Sequence, residues 1–200
     1  MTTSNLRGYT DASGKSLLNR ASWIFWQTIA LIFVVTTCGG FGSAGAQTLS
    51  EYQAKAAYLF NFVKFIEWPA STFADENSPL VIGVVGVDRD SAVIEQTING
   101  KVANGRRLVV KRFTSFRELT FCHIVFVRSS ESDRVRQTVA AAGQGALTVG
   151  ETQGFAQWGG IINLTVAEGK LRLEINQTSA EKAGLKISAK LLSLARVIRN

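Results

Sequence analysis

The side chains that do most hydrolytic and metal chemistry are scarce in this chain, which has one histidine and two cysteines in 200 residues. Hydrolytic triads and zinc sites need several imidazoles or thiolates, and here His123 directly follows Cys122. On a strand such neighbours point to opposite faces, so the two neither grip one metal nor pair as nucleophile and base. The expected arrangement is Cys122 toward the core and His123 outward. Charge is sparse at 18% against 46% hydrophobic residues, and the mean hydropathy of +0.12 is too apolar for a disordered chain. No two acidic residues show the spacing of a general acid and base. There is also no internal repeat and no low-complexity linker. Catalytic residues, metal ligands and a cofactor are therefore not expected.

Basic residues exceed acidic ones by 22 to 15, giving a formal charge of +7 and a pI near 9.7. Their distribution argues against nucleic acid, because Arg106-Arg107, Lys111-Arg112 and the pair Arg134 and Arg136 are interrupted and mixed with acids. A solvated basic surface accounts for them.

Residues 21–38 are almost unbroken in apolarity, with Arg7, Lys15 and Arg20 before them and the small residues Ala44-Gly45-Ala46 after them. A basic start, an apolar core and a small-residue site read as a secretory signal cut between Ala46 and Gln47. The alternative is an uncleaved anchor in the inner membrane, since the apolar run approaches the roughly 20 residues of a membrane span. Either form places residues 47–200 outside the cytoplasm. In that part Cys122 is the sole cysteine, so no internal disulfide is available.

Residues 47–200 read as one α/β domain, a single open mixed sheet with helices on its faces and a C-terminal hairpin and helix. Residues 51–68 predict a helix in which Leu59, Phe62, Val63 and Ile66 share a face, while Tyr58, Phe60 and Phe65 extend the apolar surface and Asn61, Lys64 and Glu67 form a narrow polar stripe. A helix this apolar needs cover on most sides, from its own sheet or from a second copy. Strands are expected at 80–86, 107–113, 123–128 and 146–149, with helices at 88–98 and at 130–142, the latter capped by Ser130. The runs 161–167 and 170–175, joined by Glu168-Gly169, predict an antiparallel hairpin. Ser188 then caps a final helix carrying Leu191, Leu194, Ala195 and Ile198 on one face.

Two features bear on ligands. The segment Gly83-Val84-Val85-Gly86-Val87-Asp88 lies between a strand and a helix, where phosphate loops occur, but it lacks both the G-x-G-x-x-G and the G-K-[ST] spacing. It is either a structural turn or the wall of a small-ligand crevice formed by Gly83, Gly86 and Asp88. The aromatic group Phe155 and Trp158, beside Gly159-Gly160, is either a core plug or an exposed anchor for a partner.

The stretch Lys55-Ala56-Ala57-Tyr58-Leu59-Phe60-Asn61-Phe62-Val63-Lys64-Phe65-Ile66-Glu67-Trp68-Pro69 resembles the opening helix of the YfiR family of exported proteins. Matches follow in order at Ile82-Gly83-Val84-Val85-Gly86, at Phe155 with Gly159-Gly160-Ile161-Ile162-Asn163, at Leu173-Glu174-Ile175-Asn176, and at Leu185-Lys186-Ile187-Ser188 with Lys190-Leu191-Leu192. The resemblance implies a periplasmic α/β homodimer without enzymatic activity. It would restrain the periplasmic sensing part of an inner-membrane diguanylate cyclase and so lower cyclic di-GMP signalling, and an outer-membrane lipoprotein could sequester it. Tyr58, Asn61, Phe62, Lys64, Phe65 and Trp158 are the candidate partner or dimer surface. Some members carry paired cysteines that make them redox-responsive; this chain departs from that pattern. The competing reading is a periplasmic small-ligand sensor or binding module.

Overall fold

The computed structural model describes residues 43–86 and 91–200, with side chains from residue 51 on. The signal core and Asp88 lie outside the described residues. Residues 47–200 form one unit. Helix α1 (Ser43–Phe65) leads into β1 (Ile66–Glu67), and β2 (Leu80–Val85) opens the main sheet. Then come α2 (Ser91–Ile98), β3 (Val102–Ala103), β4 (Arg106–Phe113), β5 (Ile124–Val127), α3 (Val135–Ala142) and β6 (Leu147–Gly150). The hairpin β7 (Ile162–Ala167) and β8 (Lys170–Asn176) precedes α4 (Gln177–Lys182), β9 (Lys186–Ile187), α5 (Ala189–Leu192) and β10 (Arg196–Ile198).

The eight-stranded sheet has the order β10-β8-β7-β6-β5-β2-β4-β3. From β4 through β2, β5 and β6 to β7 the strands are parallel, and β7 and β8 pair antiparallel from Ile162↔Ile175 to Ala167↔Lys170. The chain starts in the middle at β2, places β4 on one side and then winds back through β5 to the other. The parallel strands therefore end together at one edge, with the reversal of winding at β2.

Alternation along the central strands builds a core on each face. Ile124 and Phe126 join Ile82, Val84 and the α1 side chains Leu59, Phe62 and Val63, whereas Val125 and Val127 join Val85, Cys122 and Val135 of α3. On α1 the buried positions Tyr52, Lys55, Ala56, Leu59, Phe62 and Val63 recur every three or four residues, which turns one stripe of the helix onto the sheet. Phe62 alone, 1% exposed, gains about 2 kcal/mol from burial.

Four expectations need correction. The opening helix ends at Phe65 rather than Trp68, because Ile66 and Glu67 pair antiparallel with Ile187 and Lys186 and the Ser188 N–H donates to the Phe65 carbonyl. Pro69 in turn disfavours helical backbone at Trp68. Ser130 does not cap one continuous helix: residues 129–134 form a tighter 3-10 segment, broken from helical backbone at Glu131 (φ −104°, ψ 18°) as that side chain turns inward, and α3 begins only at Val135. Ser188 does accept from the Leu191 N–H at 3.3 Å, but the helix it starts is a single turn. The chain then extends as β10 beside Glu174, Ile175 and Asn176, where the β-branched Val197 and Ile198 suit a strand, leaving Leu194 70% exposed. His123, expected to face outward, is 5% exposed, covered by residues 69–79, whose Phe73 stacks on the imidazole at 4.4 Å. Cys122 is fully buried, as expected.

Candidate functional site

Parallel pairing sets the ends of β5 and β6 side by side, so the residues just beyond them, Arg128 and Glu151, meet above the sheet edge. α1 supplies Tyr52 and Lys55, three positions apart on its buried stripe. Glu151 takes the Lys55 ammonium at 2.6 Å, the Ser129 N–H at 2.8 Å and the Tyr52 hydroxyl at 3.2 Å. The Arg128 guanidinium donates to the Tyr52 hydroxyl, lies 3.6 Å from Glu151 and covers the Tyr52 ring at 4.4 Å. Lys55 also reaches Glu51, one helical turn back, at 2.5 Å. Burial on its own would raise the Glu151 carboxyl, but Lys55, the Ser129 N–H and Arg128 hold it below the usual carboxylate range. Tyr52 is pushed up to about 12 by burial and by the Glu151 charge. A carboxylate so fully engaged is a poor base, and a phenol held neutral is a poor nucleophile. The network instead pins α1 to the strand ends.

Glu151 also lines a cavity of about 1190 Å³ that opens beside the network. Tyr58 of α1, Gln157 of the β6–β7 loop, Asn163 of β7, Glu174 of β8 and Arg196 of β10 line it too. The Gln157 amide donates to Glu174 at 3.1 Å, and Arg196 stands 3.6 Å from the same carboxylate. Asn163 is 2% exposed, and its Oδ1 has no hydrogen-bond partner among the described residues. An orphaned buried acceptor costs about 1–3 kcal/mol, a cost that a ligand N–H would remove. Exposed Val166 and Leu194 give the groove an apolar rim. It is therefore suited to an occupant with an apolar body and an N–H group.

The candidate surface residues divide. Asn61 and Lys64 are exposed on α1, Tyr58 and Phe65 are half-buried, and Phe62 lies in the core. Tyr58 reaches the groove, while Lys64 lies over the Phe60 ring and Lys190 over Phe65. In the aromatic loop the two roles separate. Phe155 is the plug, fully buried between Gly150 and Gly160, where a Cβ would overlap its ring; Trp158 is 39% exposed, beside Gln157 of the groove wall. Gly83 lies in mid-strand, where a Cβ would come within 2.8 Å of the Cys122 sulfur. Gly86, with φ +91°, turns at the reversal edge, and a Cβ there would meet Ser130 and Glu131. Ala46 and Gln47 fall within the bounds of α1.

Sequence reasoning missed Tyr52, Lys55, Arg128, Glu151 and Asn163. A lysine within an apolar helix stripe and an arginine directly after an apolar strand were the available signals. Among the described residues no group of three or more His, Cys, Asp or Glu is placed to hold a metal ion, and no helix is long and apolar enough to cross a membrane.

A crystal structure of a conserved domain protein from Vibrio cholerae O1 biovar El Tor is similar over 74% of this chain, with 15% identity and a TM-score of 0.50. That likeness is one of fold, and the match covers 60% of that protein's length. A Streptococcus pneumoniae ABC domain crystallised with L-Trp is similar over 59% of this chain and 55% of its own, at 12% identity and a TM-score of 0.45. The family model described as YfiR/HmsC-like matches residues 52–196, from the Tyr52 of the buried network to the Arg196 of the groove. The chain belongs to the YfiR/HmsC-like family, a family of periplasmic regulators of cyclic di-GMP signalling.

Proposed function

We propose that this protein is a non-enzymatic periplasmic repressor that binds the sensing part of an inner-membrane diguanylate cyclase and holds it in an unproductive arrangement. The observation that carries the reading is the groove between α1 and the C-terminal strands, with its apolar rim and its orphaned Asn163 acceptor. Its occupant is an extended segment of the cyclase that inserts an apolar side chain and donates an N–H to Asn163. Shifting a cyclase from 99% to 1% active requires that the repressor prefer the inactive state by about 10⁴-fold, about 5.5 kcal/mol. Asn61, Lys64 and Phe65 form a second face, against another copy of the chain in a homodimer. The chain is exported by a signal cut between Ala46 and Gln47, or held at the inner membrane by residues 21–38. An outer-membrane lipoprotein competing for the groove relieves repression without any internal disulfide. Deleting the gene raises cyclic di-GMP in a cell that carries the cognate cyclase, and unchanged levels refute the proposal. Recovery of a GGDEF-containing protein from membranes on the immobilised chain supports it.

The second reading, a small-ligand sensor, has its seat at the edge beside Gly86, with Gly83 and Asp88 as its further candidates from the sequence. Its basis is the reversal of winding at β2, where open α/β sheets place ligands. A melting-temperature rise with a periplasmic metabolite, abolished by Gly86→Val, distinguishes it from groove binding.

A further inference from the structure

Residues 69–79 run from β1 to β2 as a strap over the start of β5. Phe73 stacks on the His123 imidazole at 4.4 Å and 17°, and Phe121 meets the same ring edge-on at 5.1 Å. From β4 the Arg106 guanidinium lies 3.7 Å from the Phe73 ring centre and donates to the Asp75 and Ser78 carbonyls at 3.0 and 2.7 Å. Directly before the strap, the Trp68 indole N–H donates to the His123 carbonyl at 3.2 Å. Beneath the strap, His123 Nδ1 accepts the N–H of Val81, the second residue of β2, at 3.1 Å, which fixes the ring that Phe73 covers. An acceptor Nδ1 places the single proton of the neutral ring on Nε2, and the Thr72 backbone of the strap lies close enough to favour the charged ring.

We propose that residues 69–79 are an acid-released strap, closed while His123 is neutral and opened by protonation of its Nδ1. A proton there meets the Val81 N–H head-on and replaces a hydrogen bond with two opposed donors. The charged groups around the ring give the imidazolium no anion. Arg106 on β4 is cationic, the Cys122 thiol is held neutral, and the Asp75 and Glu76 side chains of the strap are exposed. Burial, with the nearby Arg106 charge, holds the His123 pKa below its ordinary value, though the Thr72 carbonyl pulls the other way. The closed state therefore binds fewer protons than the open one, and strap stability falls as pH drops below about 6.5. Opening frees Trp68 and loosens β1, which continues α1, so the C-terminal end of that helix responds to the acidity of the compartment.

Hydrogen exchange of the full chain, read by mass spectrometry and corrected for intrinsic rates between pH 7.5 and 5, tests this. The opening equilibrium of residues 69–79 is expected to rise toward about tenfold per pH unit below pH 6.5. β5 and β6 keep their protection, and His123→Gln, with a neutral side chain, loses the pH response. A pH-independent strap, a loss of protection spread over the whole sheet, or a persistent response in H123Q overturns the proposal. Should H123Q fail to fold, the one histidine of the chain is titrated directly by its ring proton resonances. A midpoint at or above 6.5 then overturns the proposal, and a lower one supports it. None of these outcomes depends on the groove or on the cyclase.

Discussion

Replacing Glu151 by Gln tests whether the buried network holds α1 onto the sheet. The substitution keeps the shape and one oxygen, so the Ser129 N–H at 2.8 Å keeps an acceptor, but it removes the charge that Lys55 meets at 2.6 Å. It also turns an amide donor toward one of two cations. Lys55 and Arg128 are each only 3% exposed, and breaking a buried pair costs about 3–5 kcal/mol. Lys55 retains Glu51, which is partly solvated, so the lower end applies, about 3 kcal/mol. For a domain of this size that is roughly 6–12 °C in Tm. The assay is equilibrium urea denaturation at pH 7 followed by circular dichroism, with Lys55→Met and the double variant closing the cycle; the double variant should lose less than the sum of the singles. The pH dependence has a definite sign. Because folding lowers the Glu151 pKa, its contribution is full above the unfolded carboxylate value and is lost as pH falls through the folded one. E151Q lacks that part of the acid sensitivity. A variant within 0.5 kcal/mol of the wild type at pH 7 would refute the reasoning.

Three further outcomes follow from the same geometry. Gly160→Ala drives a Cβ into the buried Phe155 ring and is expected to cost about 2–3 kcal/mol, whereas Gly143→Ala, with no atom within 4 Å of its Cβ, carries only the penalty of its positive φ; their melting temperatures make the comparison. Cys122, fully buried and with its thiol pushed up to about 11 by burial, should react with an aromatic disulfide reagent only after unfolding; rapid labelling of the native protein would contradict that packing. Leu194→Asp, at a position 70% exposed on the groove rim, should leave the unfolding free energy within about 0.5 kcal/mol of wild type and weaken capture of the membrane partner at least tenfold. Undiminished capture would remove the groove from the interface.

The mixed sheet, its buried parallel strands and its hairpin were legible because hydrophobic periodicity reports the faces that a strand or helix must bury. Ile124 to Val127 and the alternating runs around Glu168 needed no tertiary information. Local capping was less dependable. Ser188 starts a helical turn as its spacing suggests, yet the turn stops after Leu192 because the following residues pair with β8, a partner about 20 positions away that no local pattern announces.

By itself the sequence determined the class of fold, the family that orders its motifs, and the poverty in imidazole and thiolate, since each is a matter of residue type and short-range spacing. Tertiary structure alone decided which polar residues meet. Tyr52, Arg128 and Glu151 are separated by 76 and 99 positions at the two hydroxyl contacts and converge only because parallel strands end at one edge beneath α1. His123 looks like the outer neighbour of a core cysteine until a loop some 50 residues earlier folds Phe73 over it. Periodicity shows which side of a strand a residue takes, but what covers that side depends on chain segments remote in sequence.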